Sequence, residues 1–204
     1  MKALILGNGD IADYAWIKRR TLGYDLLICA DGGLRHAEKM ELVPDIVLGD
    51  MDSVRKIPQG VIRKVFPARK DETDGELAVE YALEQGADEV VMAGFSGCRL
   101  DHTLTNIFFL EKIADAGKTG IFIDDKNEIC FLRDKINLQG KPGELVSIVP
   151  LCNIEGITTK GLEYPLCKET LYFGKSRGIS NVMTGQECEI TIEAGYGLVL
   201  KSRD

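Results

Sequence analysis

Up to about residue 124, short apolar runs alternate with helix-patterned stretches; beyond it the helical period disappears. The apolar runs are "KALIL" (2–6), "DLLICA" (25–30), "DIVLGD" (45–50), "GVIRKVF" (60–66), "DEVVMAGF" (88–95) and "TGIFID" (119–124). Between them lie residues 11–20, "GLRHAEKM" (33–40), "DGELAVEYALEQG" (74–86) and "HTLTNIFFLEKIADAG" (102–117), which read as helices. In 74–86 the residues Leu77, Tyr81 and Glu84 share a face with Ala78 and Ala82, Thr73 and Glu76 fit a capping box, and Gly86 is a C-terminal stop. Strands that alternate with helices predict a mostly parallel, Rossmann-like sheet with helices on both faces. After residue 125 come "EICFL", "KINLQG", "ELVSIVPL", "GITTKGL", "ETLYFG", "ECEITIEAG" and "GLVLKS", separated by Gly, Pro and Asn. These short runs predict an antiparallel β-sandwich or barrel. The expectation is two domains, an α/β domain over 1–124 and an all-β domain over 125–204.

Composition narrows the function classes. A net charge of −7 argues against sequence-independent nucleic-acid binding. The N-terminal "MKALILGNGD" has four consecutive apolar residues before Gly7, too few for a signal peptide, and no later run reaches membrane length. A cytoplasmic protein with no membrane partner is expected. The six cysteines form no C-x-x-C pair and there are two histidines, so reduced thiols are expected and a zinc site is not.

The carboxylates carry the functional reading. Asp31 follows "LLICA", Asp50 and Asp52 follow "DIVLG", Asp71 and Asp74 follow "VIRKVF" after a short loop, and Asp101 follows "VVMAGF". Each lies just beyond the C-terminal end of an expected strand, the edge where open α/β sheets bind ligands. Taken singly, each has a plainer role. Asp31 suits a turn in "DGG", Asp52-Ser53 an Asx turn, Asp74 the first turn of a helix, and Asp101 a helix cap. Caps explain one Asp per helix, not pairs at 50/52 and 71/74 on neighbouring loops. Clustered carboxylates repel unless they draw in a cation. With no His or Cys nearby, the matching cation is Mg²⁺, a hard ion shared with substrate phosphates. Arg69, Lys70 and Arg99 stand on the same loops, and Arg reads phosphate bidentately. The plainer alternative for Arg99 is an ion pair with Asp101. "GNGD" (7–10) also follows a strand, but the full Gly-rich fingerprint and the Walker A lysine are absent, so it reads as a turn.

"ADGG" (30–33), "PDIVLGDMDSV" (44–54), "KDETD" (70–74) and "GFSGCRLDHTLTN" (94–106) together resemble, in order and spacing, the signature motifs of the thiamine pyrophosphokinase family. "GKSRGISN" (174–181) resembles that family's late Ser-Asn segment on the thiamine side. The resemblance covers nearly the whole chain. It implies an α/β nucleotide domain followed by a β-sandwich, assembled as a homodimer with the active site shared between subunits. It implies transfer of the diphosphoryl group of ATP to the hydroxyl of thiamine, giving thiamine diphosphate and AMP. Matched to the motifs, Asp50, Asp52 and Asp74 are the Mg²⁺ neighbours. Asp31, Gly32, Asp50, Asp52, Arg99, Asp101 and Asn106 fall on the ATP side, Asp71, Asp74, Arg99 and Asp101 on the reaction centre, and Ser180 and Asn181 on the thiamine. Asp71 and Asp101 are both candidates for accepting the hydroxyl proton. Animal members carry a tryptophan soon after the Ser-Asn segment, where this chain has "VMTGQE". Tyr164, Tyr172 or Phe173 could take its place, although packing inside the sandwich is the simpler role for all three. Two rivals share the same signals: a pyrophosphokinase for another alcohol such as a hydroxymethylpterin, and a non-catalytic nucleotide or thiamine sensor.

Overall fold

The computed structural model describes residues 1–50, 57–66, 71–97 and 99–203. It divides into two compact units, Met1–Asp125 and Lys126–Asp204. The first unit is built on six parallel strands: β1 (Lys2–Leu6), β2 (Leu26–Ala30), β3 (Ile46–Gly49), β4 (Ile62–Val65), β5 (Glu89–Ala93) and β6 (Thr119–Ile123). Helices α1 (Tyr14–Arg20), α2 (Leu34–Lys39), α3 (Asp74–Glu84) and α4 (Leu100–Asp115) connect them. The sheet order is β6-β5-β1-β2-β3-β4, with every described pairing parallel. The mixed α/β fold read from the alternation is therefore the one observed.

The inner strands are apolar on both faces because helices cover both. Leu4, Leu6, Leu27, Cys29, Val47 and Val91 pack into one core with Leu34, Ala37 and Ile17 of α2 and α1. Burial pushes the Cys29 thiol pKa up to about 12, so it behaves as a small hydrophobe. Asp45, at the entry to β3, accepts the Leu27 N–H at 2.7 Å and ties that strand to β2. The expected helix over 11–20 starts late, at Tyr14. Asp13 caps it by accepting the Trp16 N–H at 2.9 Å. The preceding Ala12 and Asp13 N–H groups are instead held by the Asp125 carboxylate, both at 2.9 Å.

The strand order places a switch between β1 and β5. From β1 the chain steps outward through β2, β3 and β4, then returns to the other side of β1 as β5. Loops leaving two such neighbours diverge and open a crevice at the carboxyl edge.

The second unit holds two antiparallel sheets. One runs β12 (Asn181–Val182), β9 (Leu145–Pro150), β14 (Gly197–Ser202), β7 (Asn127–Leu132). The other runs β11 (Glu169–Leu171), β10 (Ile154–Lys160), β13 (Glu187–Thr191), β8 (Lys135–Gln139). Strand β9 alternates buried and half-buried residues along its length, the period expected of a strand with one face on a core. Val146, Ile148, Ile157, Leu171, Ile190 and Val199 meet in that core.

Candidate active site

The switch between β1 and β5 carries a cavity of about 510 Å³ in the first unit. Its floor is two loops, Gly7–Asp10 after β1 and Gly94–Gly97 after β5, joined by backbone bonds. Gly7 donates to Ala93 O at 2.9 Å, Gly9 to Gly94 O at 2.6 Å and Asp10 to Ser96 O at 2.7 Å. A Cβ on Gly9 would lie 2.2 Å from Ser96 O, so the two backbones approach only because Gly has no side chain. "GNGD" is thus a turn whose amides at 7, 9 and 10 are already donated within the protein.

Three carboxylates gather on the rim. One oxygen each from Asp31, Asp50 and Asp74 lie within 4.8 Å of one another, and all three residues are half-buried. They come from three elements: the turn after β2, the end of β3 and the first turn of α3. Thr73 sets the last of these, since its Oγ1 accepts the Glu76 N–H at 3.2 Å and caps α3. Gly49 has φ +142, and a Cβ there would sit 3.2 Å from Asp74 Cγ and 3.3 Å from Asp31 Cα. Asp31 itself has φ 49, a left-handed backbone that costs about 1–2 kcal/mol for a residue with a Cβ. Asp31 Oδ2 accepts from Asn8 Nδ2 at 3.1 Å. Asp31 Oδ1 is buried with no hydrogen-bond partner among the described residues. Three carboxylates gathered this closely, one of them with a buried, unpartnered oxygen, are the arrangement a divalent cation would satisfy, and an all-oxygen donor set suits Mg²⁺.

The other residues singled out from sequence fall as follows. Asp52, with Arg69 and Lys70, lies outside the described residues. Arg99, at the cavity wall, donates Nη2 to Asp101 Oδ2 at 2.6 Å and Nε to Asp101 Oδ1 at 3.2 Å. The plainer role foreseen for Arg99 is thus the one present, and both side chains are about two-thirds exposed (67% and 66%). The Arg99 guanidinium, helped by the His102 N–H, holds the Asp101 carboxyl down at about 2. Asn106 lines the cavity and donates Nδ2 to Phe95 O at 3.0 Å. Asp71 is exposed and, like Asp101, is not among the cavity residues. Gly32 is also outside the lining. A Cβ on it would lie 2.3 Å from Asn8 Oδ1, so Gly32 makes room for Asn8.

In the second unit Ser180 is exposed with φ 57, and its N–H donates to Ser147 Oγ at 2.9 Å. Asn181 is buried, at 8% exposure. Its Oδ1 accepts from Tyr164 N at 3.0 Å and Val182 N at 2.9 Å, while Nδ2 donates to Tyr164 O at 2.7 Å. The Asn181 amide therefore shapes the Tyr164 loop from inside. A cavity of about 270 Å³ lies beside it, lined by Ile148, Tyr164, Arg177 and Ile179 among others. Packing inside the sandwich does not describe the three aromatics: Tyr164, Tyr172 and Phe173 are 63%, 57% and 65% exposed. They sit in loops or just past a strand end, where inward-outward alternation does not act.

Sequence reasoning passed over Asn8 and Asp10, Glu72 and Thr73, and Ser96, His102 and Thr103, all of which line the cavity. Every one lies in a quoted motif, Asp10 and Glu72 among them, but neither its spacing nor its match to the family's motifs marked it as a site residue. Two residues of α2 had no signal at all. Arg35 Nη2 donates to Asn8 O at 2.8 Å and to Gly9 O at 2.7 Å. Buried His36 puts Nε2 2.8 Å from Gly9 O and Nδ1 2.7 Å from the Tyr14 hydroxyl.

Comparison with known proteins identifies the family. The catalytic domain of thiamin pyrophosphokinase matches residues 18–123, and its vitamin B1 binding domain matches 133–199. The thiamine pyrophosphokinase of Bacillus subtilis (strain 168) is 28% identical over 172 residues, 80% of this chain and 80% of its own. Thiamin pyrophosphokinase 1 of Caenorhabditis elegans is 29% identical over 155 residues, 69% of this chain and 63% of its own. The crystal structure of thiamine pyrophosphokinase from Bacillus subtilis aligns with a TM-score of 0.88 at 25% identity over 100% of both chains. With both family domains matched in order and the whole fold shared, the chain belongs to the thiamine pyrophosphokinase family.

Proposed function

We propose that this chain transfers the diphosphoryl group of ATP to the hydroxyl of thiamine, releasing AMP, with Mg²⁺ held by Asp31, Asp50 and Asp74. Family membership makes it a transferase that forms thiamine diphosphate from thiamine and leaves the pterin and sensor alternatives unfavoured. ATP as donor and Mg²⁺ as cofactor are the added reading. The observation that carries it is the carboxylate cluster at the switch point, with Asp31 Oδ1 buried and unpartnered. Asp52, two residues beyond Asp50, is a further candidate ligand.

Bound Mg²⁺ would neutralise phosphate oxygens and offset charge that develops as the diphosphoryl group moves. The chain's own residues do the positioning. The glycine-lined floor at Gly7–Asp10 and Gly94–Gly97 lets a nucleotide approach the backbone closely. The first turn of the 11-residue α3 adds its positive dipole end to the same rim. Arg99, already exposed and aligned by Asp101, can exchange that carboxylate for a phosphate, an equally bidentate partner. Asp71 and Asp101 are the carboxylates offered for the hydroxyl proton, and Asp101 is the weaker base as long as Arg99 holds it. Ser180 and Asn181 shape the thiamine side of a site shared with the partner subunit of a cytoplasmic homodimer. The exposed Tyr172, Phe173 and Ile179 beside that segment suit burial against another surface.

Incubation with thiamine, ATP and Mg²⁺ should yield thiamine diphosphate and AMP, and EDTA should stop it. Release of ADP, or undiminished turnover in EDTA, would overturn the donor chemistry or the metal. Hydroxymethyldihydropterin should not be turned over.

A further inference from the structure

We propose that Asn8 is a positioning residue for the carboxylate cluster: its side-chain amide holds Asp31 Oδ2 and leaves Oδ1 as the oxygen directed to Asp50 and Asp74. The proposal rests on the reading of those three aspartates as metal ligands. An ionised carboxylate only accepts hydrogen bonds, so the group that Asn8 turns toward Asp31 at 3.1 Å must be its NH₂. With one oxygen engaged there, the other is buried without a partner. The left-handed backbone of Asp31, φ 49, fixes where its side chain leaves the turn. It does not fix the rotation of the carboxylate, and the Asn8 bond does.

Asn8 can act this way because its backbone is clamped. Arg35 Nη2 grips Asn8 O at 2.8 Å and Gly9 O at 2.7 Å. His36, braced by the Tyr14 hydroxyl, faces Gly9 O at 2.8 Å. On the other side Gly9 N–H is bound to Gly94 O at 2.6 Å. The side chain rests over Gly32, where any Cβ would overlap it. A neutral donor suits the place: an aspartate would add another anion beside the three clustered carboxylates, and an alkyl group would leave Asp31 Oδ2 unheld. Hydrogen-bond partners of metal-ligating carboxylates orient the ligand and tune its affinity.

The test is Mn²⁺ binding to the nucleotide-free full-length chain, followed by electron paramagnetic resonance, for wild type, Asn8→Leu, Asp31→Asn and the double variant. Asn8→Leu should weaken Mn²⁺ by about 10-fold, the low end for such partners because Asn8 is open to the cavity. Asp31→Asn should weaken it at least as much, and the double variant should bind no more weakly than Asp31→Asn alone, because Asn8 acts through Asp31. Wild-type affinity in Asn8→Leu, or effects that add in the double variant, would overturn the proposal while leaving Asp31 a ligand. Wild-type affinity in Asp31→Asn would overturn both the proposal and the ligand reading. If Asn8→Leu melts early, Asn8→Ala, which fills less of the same space and carries no donor, should show the same non-additive loss.

Discussion

At Asp31 the fold holds a residue in a conformation and an environment that both cost free energy. Its φ of 49 is left-handed, and its Oδ1 is buried and unpartnered beside two other carboxylates. Such strain is found where surrounding structure holds a residue for function. Asp31→Asn keeps a side chain tolerant of that backbone and removes one of three like charges. In metal-free buffer it should raise stability by about 1 kcal/mol, seen as a melting point about 2–4 °C higher. Turnover should fall by about 10²–10³-fold, as should that of Asp74→Asn, the residue anticipated for the metal from its motif. His36 makes a second prediction at this scale. Burial, ahead of the neighbouring Arg35 and Lys39 charges, lowers its pKa from 6.5, against the pull of Gly9 O and Asp10. The unfolded chain then binds the proton more readily. The neutral-histidine contribution is therefore fully present above about pH 6.5 and is lost as pH falls toward the lower folded value. Denaturant titrations should show stability declining below pH 6.5, and His36→Gln should flatten that slope.

Helix α3 shows what an element adds to its residues. The Thr73–Glu76 capping box read from sequence is half present. Thr73 Oγ1 accepts the Glu76 N–H, but the Glu76 carboxylate turns away to Lys112 of α4 at 2.8 Å, where Glu80 joins it. Local pattern identified the cap. Packing against a second helix decided where the glutamate went. Because the cap also sets the turn that presents Asp74, Thr73→Ala should cost about 1 kcal/mol of stability and lower kcat as well. Thr73→Ser should restore both in a thermal melt and a product assay. The loops after β1 and β5 make a similar point. Their glycines were legible as turns, but the backbone bonds between the two loops link segments some 85 residues apart and have no local signature.

The whole molecule carries a net charge of −7, and its proposed substrates have opposite signs. Cationic thiamine is drawn toward an acidic protein, an attraction that salt screens beyond about 10 Å at 0.1 M ionic strength. Raising KCl from low levels to 0.3 M at saturating Mg²⁺ and ATP should raise KM for thiamine several-fold with little change in kcat. A KM insensitive to salt would show that local contacts alone recruit it. Most of the fold at this scale was legible. Periodicity separates an α/β region from an all-β one, because helices on both faces make inner strands wholly apolar while a sandwich strand alternates. The two-residue β12 was not legible, since a strand that short has no period.

The sequence by itself determined the order of strands and helices and the change of pattern near residue 125, and it marked Asp31, Asp50 and Asp74 as residues beyond strand ends. Those are consequences of local chemistry: apolar period, turn residues and caps act over a few positions. Only the tertiary structure decided which carboxylates meet. Strand order brings the ends of β2 and β3 beside the start of α3, which grouped Asp31 with Asp50 and Asp74 and left Asp71 and Asp101 away from the cavity lining. It also gave Asn8, Arg35 and His36 their roles, because a hydrogen bond between segments more than 20 residues apart depends on where the sheet places them.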